Sequence, residues 1–251
     1  MKQNWKKIAL IAGIALVAVA GLVALTIWVI MPAMKYGKAD SLAKEGDVPG
    51  AYEAYERMAD YRDALDAAQK LQDQVIASRT AASMEFGGYE WLVLEERDGK
   101  ALLLMKDVLE MRTYHAALEA TDWESCALRA WLNGAFYKGI PEADRARIVE
   151  TTLTNGDNVQ YSTKAGKTTK DHVFLLSLAE AGLYFRDNAS RIARQGGSVK
   201  FWWLRSPGLE PMLAATVTSD GSLGYAGSGV NYTNRGVRPA VWVTLPAEPA
   251  Q

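Results

Sequence analysis

The residues best equipped for recognition lie near the C-terminus. Residues 214–236, AATVTSDGSLGYAGSGVNYTNRG, set Thr216, Thr218, Tyr225, Ser228, Asn231, Tyr232, Asn234 and Arg235 among glycines. Tyrosine offers broad contact area at low conformational cost, and Ser, Asn and Gly adapt their hydrogen bonds, a mixture that binding faces favour. These eight residues form the candidate ligand-binding set. Read without a ligand, the same stretch is a solvated hairpin with ordinary turn chemistry at Asp220-Gly221. Arg205 in WWLRSPG and Arg238 in GVRPA are also candidates for gripping an anion or a sugar. Strand alternation and a guanidinium's donor fork favour another role, bonding carboxylates or carbonyls of the same domain.

Catalytic chemistry is harder to assemble. The two histidines, His115 and His172, fall in different segments, and the single cysteine, Cys126, lies on a helix whose other face is apolar. A nucleophile needs an adjacent base, and none is visible in sequence. Glu95, Glu96 and Asp98 read as the solvated end of a hairpin. NGDN at residues 155–158 has oxygen ligands for calcium but too few at regular spacing. AGKTTK at residues 165–170 lacks the upstream glycine of a phosphate loop. The expectation is a protein that is not an enzyme and carries no cofactor or metal.

Composition narrows the setting in which such a face works. The chain has 251 residues and a net charge of −1, so no general attraction to nucleic acid is implied. One cysteine excludes an internal disulfide framework. Six of the eight tryptophans follow residue 90 and predict a tryptophan-rich core there. Residues 8–31, IALIAGIALVAVAGLVALTIWVIM, carry no charge and are long enough to cross a bilayer as a helix. Lys2, Lys6 and Lys7 precede the run, and acidic residues follow soon after Lys35 and Lys38. That bias predicts a short cytoplasmic N-terminus (residues 1–7), an uncleaved signal-anchor helix in the cell membrane (8–31), and an extracytoplasmic remainder. The alternative is cleavage at AVAG, which would leave an apolar tail on the mature chain.

The elements that must position the candidate face follow. Residues 32–80 are charged, alanine-rich and helical, with a near-repeat of GDVPGAYEAYERM in ADYRDALDAAQKL. The spacing of Ala39, Leu42, Gly46, Ala51 and Tyr55 resembles a tetratricopeptide-type helical hairpin, in which small residues let two helices approach. This segment reads as a stalk, or as a surface for an envelope protein partner. From residue 85 the period shifts to strands, joined by a hairpin turn at Asp98-Gly99. TDWESCALRAWLNGAFYKGI predicts a helix capped by Thr121 or Asp122, and Pro141 starts a second helix over PEADRARIVET. Residues 155–170 and DNASRIARQGGSVK read as loops. FWWLRSP, AATVTSDGSLGYAGSGV and GVRPAVWVTL read as strands. The order predicts an α+β domain over residues 85–246 that closes its first and last strands together, with a disordered tail at 247–251.

WESCALRAWLNGAFY, DHVFLLSLAEAGLYF, WWLRSPG and GVRPAVWV, in that order, resemble an uncharacterised bacterial family, domain of unknown function 6273, over about residues 86–246. The layout is also similar to the C-type-lectin-like fold shared by formylglycine-generating enzymes and variable proteins of diversity-generating retroelements. The resemblance implies a lectin-like globular domain whose C-terminal end carries ligand-facing residues. It implies no catalytic residues, because the cysteines that formylglycine chemistry needs are missing here. The expectation is a display protein that recognises a glycan, peptide or protein ligand outside the membrane. The alternative is a non-catalytic structural subunit of an envelope complex that meets partners through residues 32–80.

Overall fold

The computed structural model of the chain describes residues 19–20, 22–61, 63–79 and 82–246. Residues 1–18 and 247–251 lie outside them, and with them the expected cytoplasmic terminus, the first part of the expected anchor (residues 8–18) and the expected tail. Among the described residues no helix is long and apolar enough to cross a membrane. The chain divides into two compact units, one ending at Ala68 and the other beginning at Gln69.

The first unit is helical. Helices α1 (Met31–Lys44) and α2 (Val48–Glu56) pack through Ala39 and Ala51, both fully buried. A methyl group at each crossing point lets two backbones approach closely. Gly46, at φ +84°, turns the chain between them, and Asp47 caps α2 by accepting from the Gly50 N–H at 3.1 Å. Tyr36 stacks edge-on against Tyr55 and Tyr61, at 5.3 and 6.1 Å, and donates to Asp63 at 2.7 Å. Helix α3 (Ala64–Ala77) starts in this unit.

The second unit is mixed α+β and reaches further toward the N-terminus than the strand pattern suggests. Gln72 donates to the carbonyls of Gly182 and Phe185 at 2.8 and 3.2 Å. Arg79 donates to Leu94 and Tyr184 carbonyls at 2.7 and 2.6 Å. Polar side chains spent on distant carbonyls leave no hydrophobic period to read.

Two five-stranded sheets form its frame. The first has the order β1 (Ser83–Phe86), β2 (Tyr89–Arg97), β3 (Lys100–Met105), β14 (Ala240–Thr244), β5 (Ile148–Val149), all antiparallel. The β2–β3 turn is the expected one: Asp98 and Gly99 both have positive φ, 51° and 68°, the twist-matched hairpin geometry. The last strand pairs with β3 from Ala240↔Leu104 to Thr244↔Lys100, so the domain closes first strands on last. The second sheet has the order β12 (Leu223–Gly229), β11 (Leu213–Val217), β10 (Trp202–Pro207), β13 (Gly236–Val237), β4 (Glu110–Met111). Two ribbons complete the strands: β6 (Thr151–Leu153) with β7 (Thr169–Asp171), and β8 (Ala193–Gln195) with β9 (Ser198–Lys200). Trp91, Trp123, Trp202 and Trp203 are fully buried in the core.

Several local expectations change. The helix after residue 121 begins only at Ala127: α4 (Ala127–Trp131) is capped by Cys126, whose sulfur accepts from the Arg129 N–H at 3.4 Å. Asp122 instead closes a tight turn by accepting from the Ser125 N–H at 2.9 Å. The helix that Pro141 announces, α5 (Glu142–Arg145), stops after four residues because Ile148 and Val149 are taken as a sheet edge by β14. The expected loop at DNASRIARQGGSVK holds a short helix (Asn188–Arg191) and the β8–β9 hairpin. Glu95 is not solvated. The β2–β3 register slips by one residue between Val93 and Glu95, which shifts the alternation. Glu95 is thereby buried and accepts from the Tyr184 hydroxyl at 2.6 Å.

Candidate ligand-binding face

Strand β12 is the edge of the second sheet and holds two of the eight expected residues, Tyr225 and Ser228. It does not run straight. Ala214 pairs with Ser228 and Thr216 with Gly224, so Ala215 alone stands opposite residues 225–227. A bulge of this kind frees backbone groups from the ladder and redirects side chains. The freed carbonyls are recaptured: Asn158 donates to Tyr225 at 2.8 Å, and the Leu209 N–H donates to Ala226 at 2.9 Å. Gly227 makes the bulge possible. Its φ is +79°, and a Cβ there would stand 2.5 Å from the Ala214 carbonyl oxygen.

Five of the eight expected residues come together, two stand apart at separate places and one threonine is buried. Thr216 lies inside the sheet, 2 % exposed, with its hydroxyl against Gly224. Thr218 is at the far turn, where its hydroxyl donates to Asp220 and to the Ser222 carbonyl. The Asp220 carboxyl falls below the usual carboxylate range because the Thr218 hydroxyl and the Ser222 N–H bond it. Tyr225 is half-buried on the bulge.

Ser228, Asn231, Tyr232, Asn234 and Arg235 come together at the other end of β12. The Arg235 guanidinium lies over the rings of Phe201 and Tyr232, 4.5 and 5.4 Å from their centroids. Its Nε donates to the Ser228 hydroxyl at 3.0 Å, and Nη1 donates to the Asn234 side-chain and backbone oxygens at 2.8 and 3.3 Å. Tyr232 is 49 % exposed yet held. Its N–H closes a turn to Gly229 at 2.9 Å, and its ring lies so close over Gly229 that a Cβ there would stand 2.8 Å from the ring. The Asn231 side-chain oxygen is buried with no hydrogen-bond partner among the described residues. Sequence reading missed Phe201, the second ring under the guanidinium. It belongs to the preceding strand segment, and only the fold brings it to Arg235.

The other candidates are internal. Arg205 forms a buried bidentate pair with Glu180 and donates to the Leu175 carbonyl at 2.9 Å. Glu180 also completes the capping box with Ser177 at helix α6 (Leu178–Leu183). Arg238 is fully buried. It donates to the carbonyls of Met105, Lys106 and Arg191 at 2.8, 2.9 and 3.4 Å, and it lies over the Trp202 ring at 4.9 Å. It stands where the chain leaves β13 for β14 and pins that crossing. Burial pushes the Cys126 thiol up to about 12, which makes it a poor nucleophile. The His115 ring accepts from the Ala127 N–H at 3.3 Å and pairs with Glu119 at 2.9 Å, while the His172 ring stacks on Tyr137 at 4.5 Å. The oxygens of the NGDN loop are spent within the protein. Asn155 accepts from Arg205, Asp157 from Lys164, and Asn158 from the backbone of Gln160 and Tyr161.

These features define a mixed α+β domain with an apolar core crossed by buried arginine networks, and an aromatic, cationic rim at the end of β12. Over residues 98–245 the chain matches the Domain of unknown function (DUF6273), and it belongs to that family. Searches of curated proteins and of solved structures found no match.

Proposed function

We propose that the protein is a membrane-anchored extracytoplasmic binding protein, with residues 8–31 as its single-pass anchor and the C-terminal hairpin end as its recognition face. The observation that carries this reading is the Tyr232–Arg235 cluster. An exposed tyrosine and a half-buried arginine are held rigidly by Gly229, Ser228, Asn234 and Phe201. Groups fixed before binding lose little conformational freedom on capture of a partner. The anchor rests on the uncharged run and the lysines that precede it. A C-type-lectin-like fold, whose C-terminal end carries ligand-facing residues, agrees with the position of the cluster.

The test is a glycan and protein array probed with the full chain in detergent micelles. A binder should appear that is lost on Tyr232→Ala and weakened by Tyr225→Ala. If every binder is indifferent to both changes, the hairpin end is not the recognition face. Protease shaving of intact cells should remove the second unit. Protection until the cells are permeabilised would place it in the cytoplasm and overturn the topology.

One observation favours a second reading, an envelope subunit that docks through its helices. Leu65 on α3 and Met34 on α1 are 54 % and 70 % exposed, apolar side chains within reach of a partner. Crosslinking to envelope proteins that disappears with Leu65→Glu and Met34→Glu would support it.

A further inference from the structure

We propose that Arg235 is the anchor for a carboxylate, and that the ligand of the hairpin face is an acidic side chain on a peptide or protein partner. The proposal rests on the recognition reading above and names its chemistry. Six other arginines of the chain are matched within it. Arg205 pairs with Glu180, Arg129 with Asp171, Arg112 with Glu110 and Arg97 with Glu95. Arg238 and Arg79 are enclosed by backbone carbonyls. Arg235 has neither arrangement. Its bonds go to a serine hydroxyl and to the amide and backbone oxygens of Asn234. Among the described residues it has no ion pair, and its Nη2 has no hydrogen bond. A guanidinium carries five N–H donors, so the nitrogen that remains holds two of them unspent.

The unspent nitrogen is held in a fixed plane. Phe201 and Tyr232 flank the guanidinium, and Ser228 and Asn234 fix its rotation about the side-chain axis. A planar fork held this way recognises planar carboxylates better than a flexible ammonium does. Partial burial lowers the proton affinity of Arg235, with Tyr232 opposing, and no acidic group stands near enough to compensate. A carboxylate from outside would supply that compensation.

The arginine that faces Arg235 on the neighbouring strand is already matched by a carboxylate. β13 pairs with β4 through Gly236↔Met111, and the Arg112 N–H donates to the Arg235 carbonyl at 3.1 Å, so the two arginines stand opposite each other across the ladder. Like charges in facing positions destabilise a sheet. Arg112 has Glu110 at 2.6 Å and lies over Trp131 at 4.1 Å. Arg235 is left without a partner carboxylate. The positive rim is local, since the whole chain carries −1.

A protein partner is favoured over a polyanion by the number and kind of groups. One bracketed arginine beside one exposed tyrosine is the composition of a protein-binding hot spot, where Tyr and Arg dominate. Polyanions are held by several cations spread along a surface.

The test selects a random-peptide phage library on the full chain in detergent micelles. The selected peptides should share an Asp or Glu at one position. Changing that residue to its amide should weaken binding about tenfold or more, the scale of a hydrogen bond to a charged group. Arg235→Gln should do the same, and the two changes together should not add. Arg235→Lys should recover only part. The amide substitution lies in the peptide, so it tests the contact even if Arg235→Gln disturbs the fold. Peptides without a fixed acidic position, bound through Tyr232 but indifferent to Arg235→Gln, overturn the carboxylate anchor and leave the recognition face standing. Binding indifferent to Tyr225→Ala, Tyr232→Ala and Arg235→Gln overturns both. Uronate-containing oligosaccharides captured through Arg235, with no acidic peptide selected, overturn the partner class.

Discussion

On either side of Ala215 the second sheet breaks register by the same amount, and the two breaks have opposite surroundings. On one side Ala215 stands opposite residues 204–206 of β10, and on the other opposite residues 225–227 of β12. The β10 bulge is covered by the start of α6. The Arg205 N–H donates to the Leu176 carbonyl, the Ser206 hydroxyl accepts from the Leu178 N–H, and the Arg205 side chain meets Glu180. Everything in it is buried. The β12 bulge is met by a polar loop through Asn158 and Leu209, and its own side chains stay at the surface or half-buried. The same backbone irregularity therefore has two uses. Covered by a helix, it seats a buried ion pair. Covered by a loop, it holds the edge strand that leads into the Tyr232–Arg235 rim. The difference lies in what packs over each bulge and in the residue at it, Arg205 in β10 and Gly227 in β12.

The comparison can be broken at its interior side with the largest effect. Glu180→Gln leaves the Arg205 guanidinium buried beside a neutral amide, and loss of one partner of a buried pair costs about 3–5 kcal/mol. Urea unfolding should show that loss. A change below about 1 kcal/mol would mean that the pair does not hold the β10 bulge, given the size expected for a buried pair. At the edge side, Asn158→Ala strips the donor from the carbonyls of Pro207, Gly208 and Tyr225. A cost of about 2–3 kcal/mol is expected, with faster amide exchange along β12.

The third test uses pH. The Cys126 thiol titrates from 9.0 in a free chain to about 12 in the fold because it is buried. Its contribution is complete below pH 9 and is lost as pH rises toward 12, because only the unfolded chain releases the proton in that window. Relative to Cys126→Ser, which keeps a capping oxygen and does not titrate, the wild type should lose about 1.4 kcal/mol by pH 10. Equal pH dependence of the two would show that the thiol opens to solvent. The smallest effect on stability belongs to the rim. Tyr232→Ala should change the unfolding free energy by no more than about 0.5 kcal/mol, as surface substitutions do, while abolishing ligand capture. A larger loss would place Tyr232 with the interior residues, not with the recognition face.

The sequence is legible where a local rule is enforced by local physics. Asp98-Gly99 makes the β2–β3 hairpin and Asp220-Gly221 the turn between β11 and β12, because positive φ is cheap at Asp98, Gly99 and Gly221. The apolar runs of β3 and β14 announce central strands, and WWLRSP is buried along its whole length. Arg205 and Arg238 carry the internal roles that their strand contexts favour. Four separated motifs carry the family resemblance, and the family match agrees with it.

What tertiary structure alone decided involves partners far apart in sequence. Glu95 is acidic and follows a strand, so it reads as solvated, yet a one-residue bulge and Tyr184 bury it. PEADRARIVET has a helix start, but β14 claims its last apolar pair for a sheet edge. Thr216 and Tyr232 look alike as candidates in sequence, and the fold puts one inside the sheet and the other on the rim. Composition could nominate residues 214–236 because turn chemistry and side-chain character are properties of single residues. It could not select the Arg235 cluster among them, because Phe201, Ser228 and Arg112 are brought to that arginine by strand pairing and chain crossing.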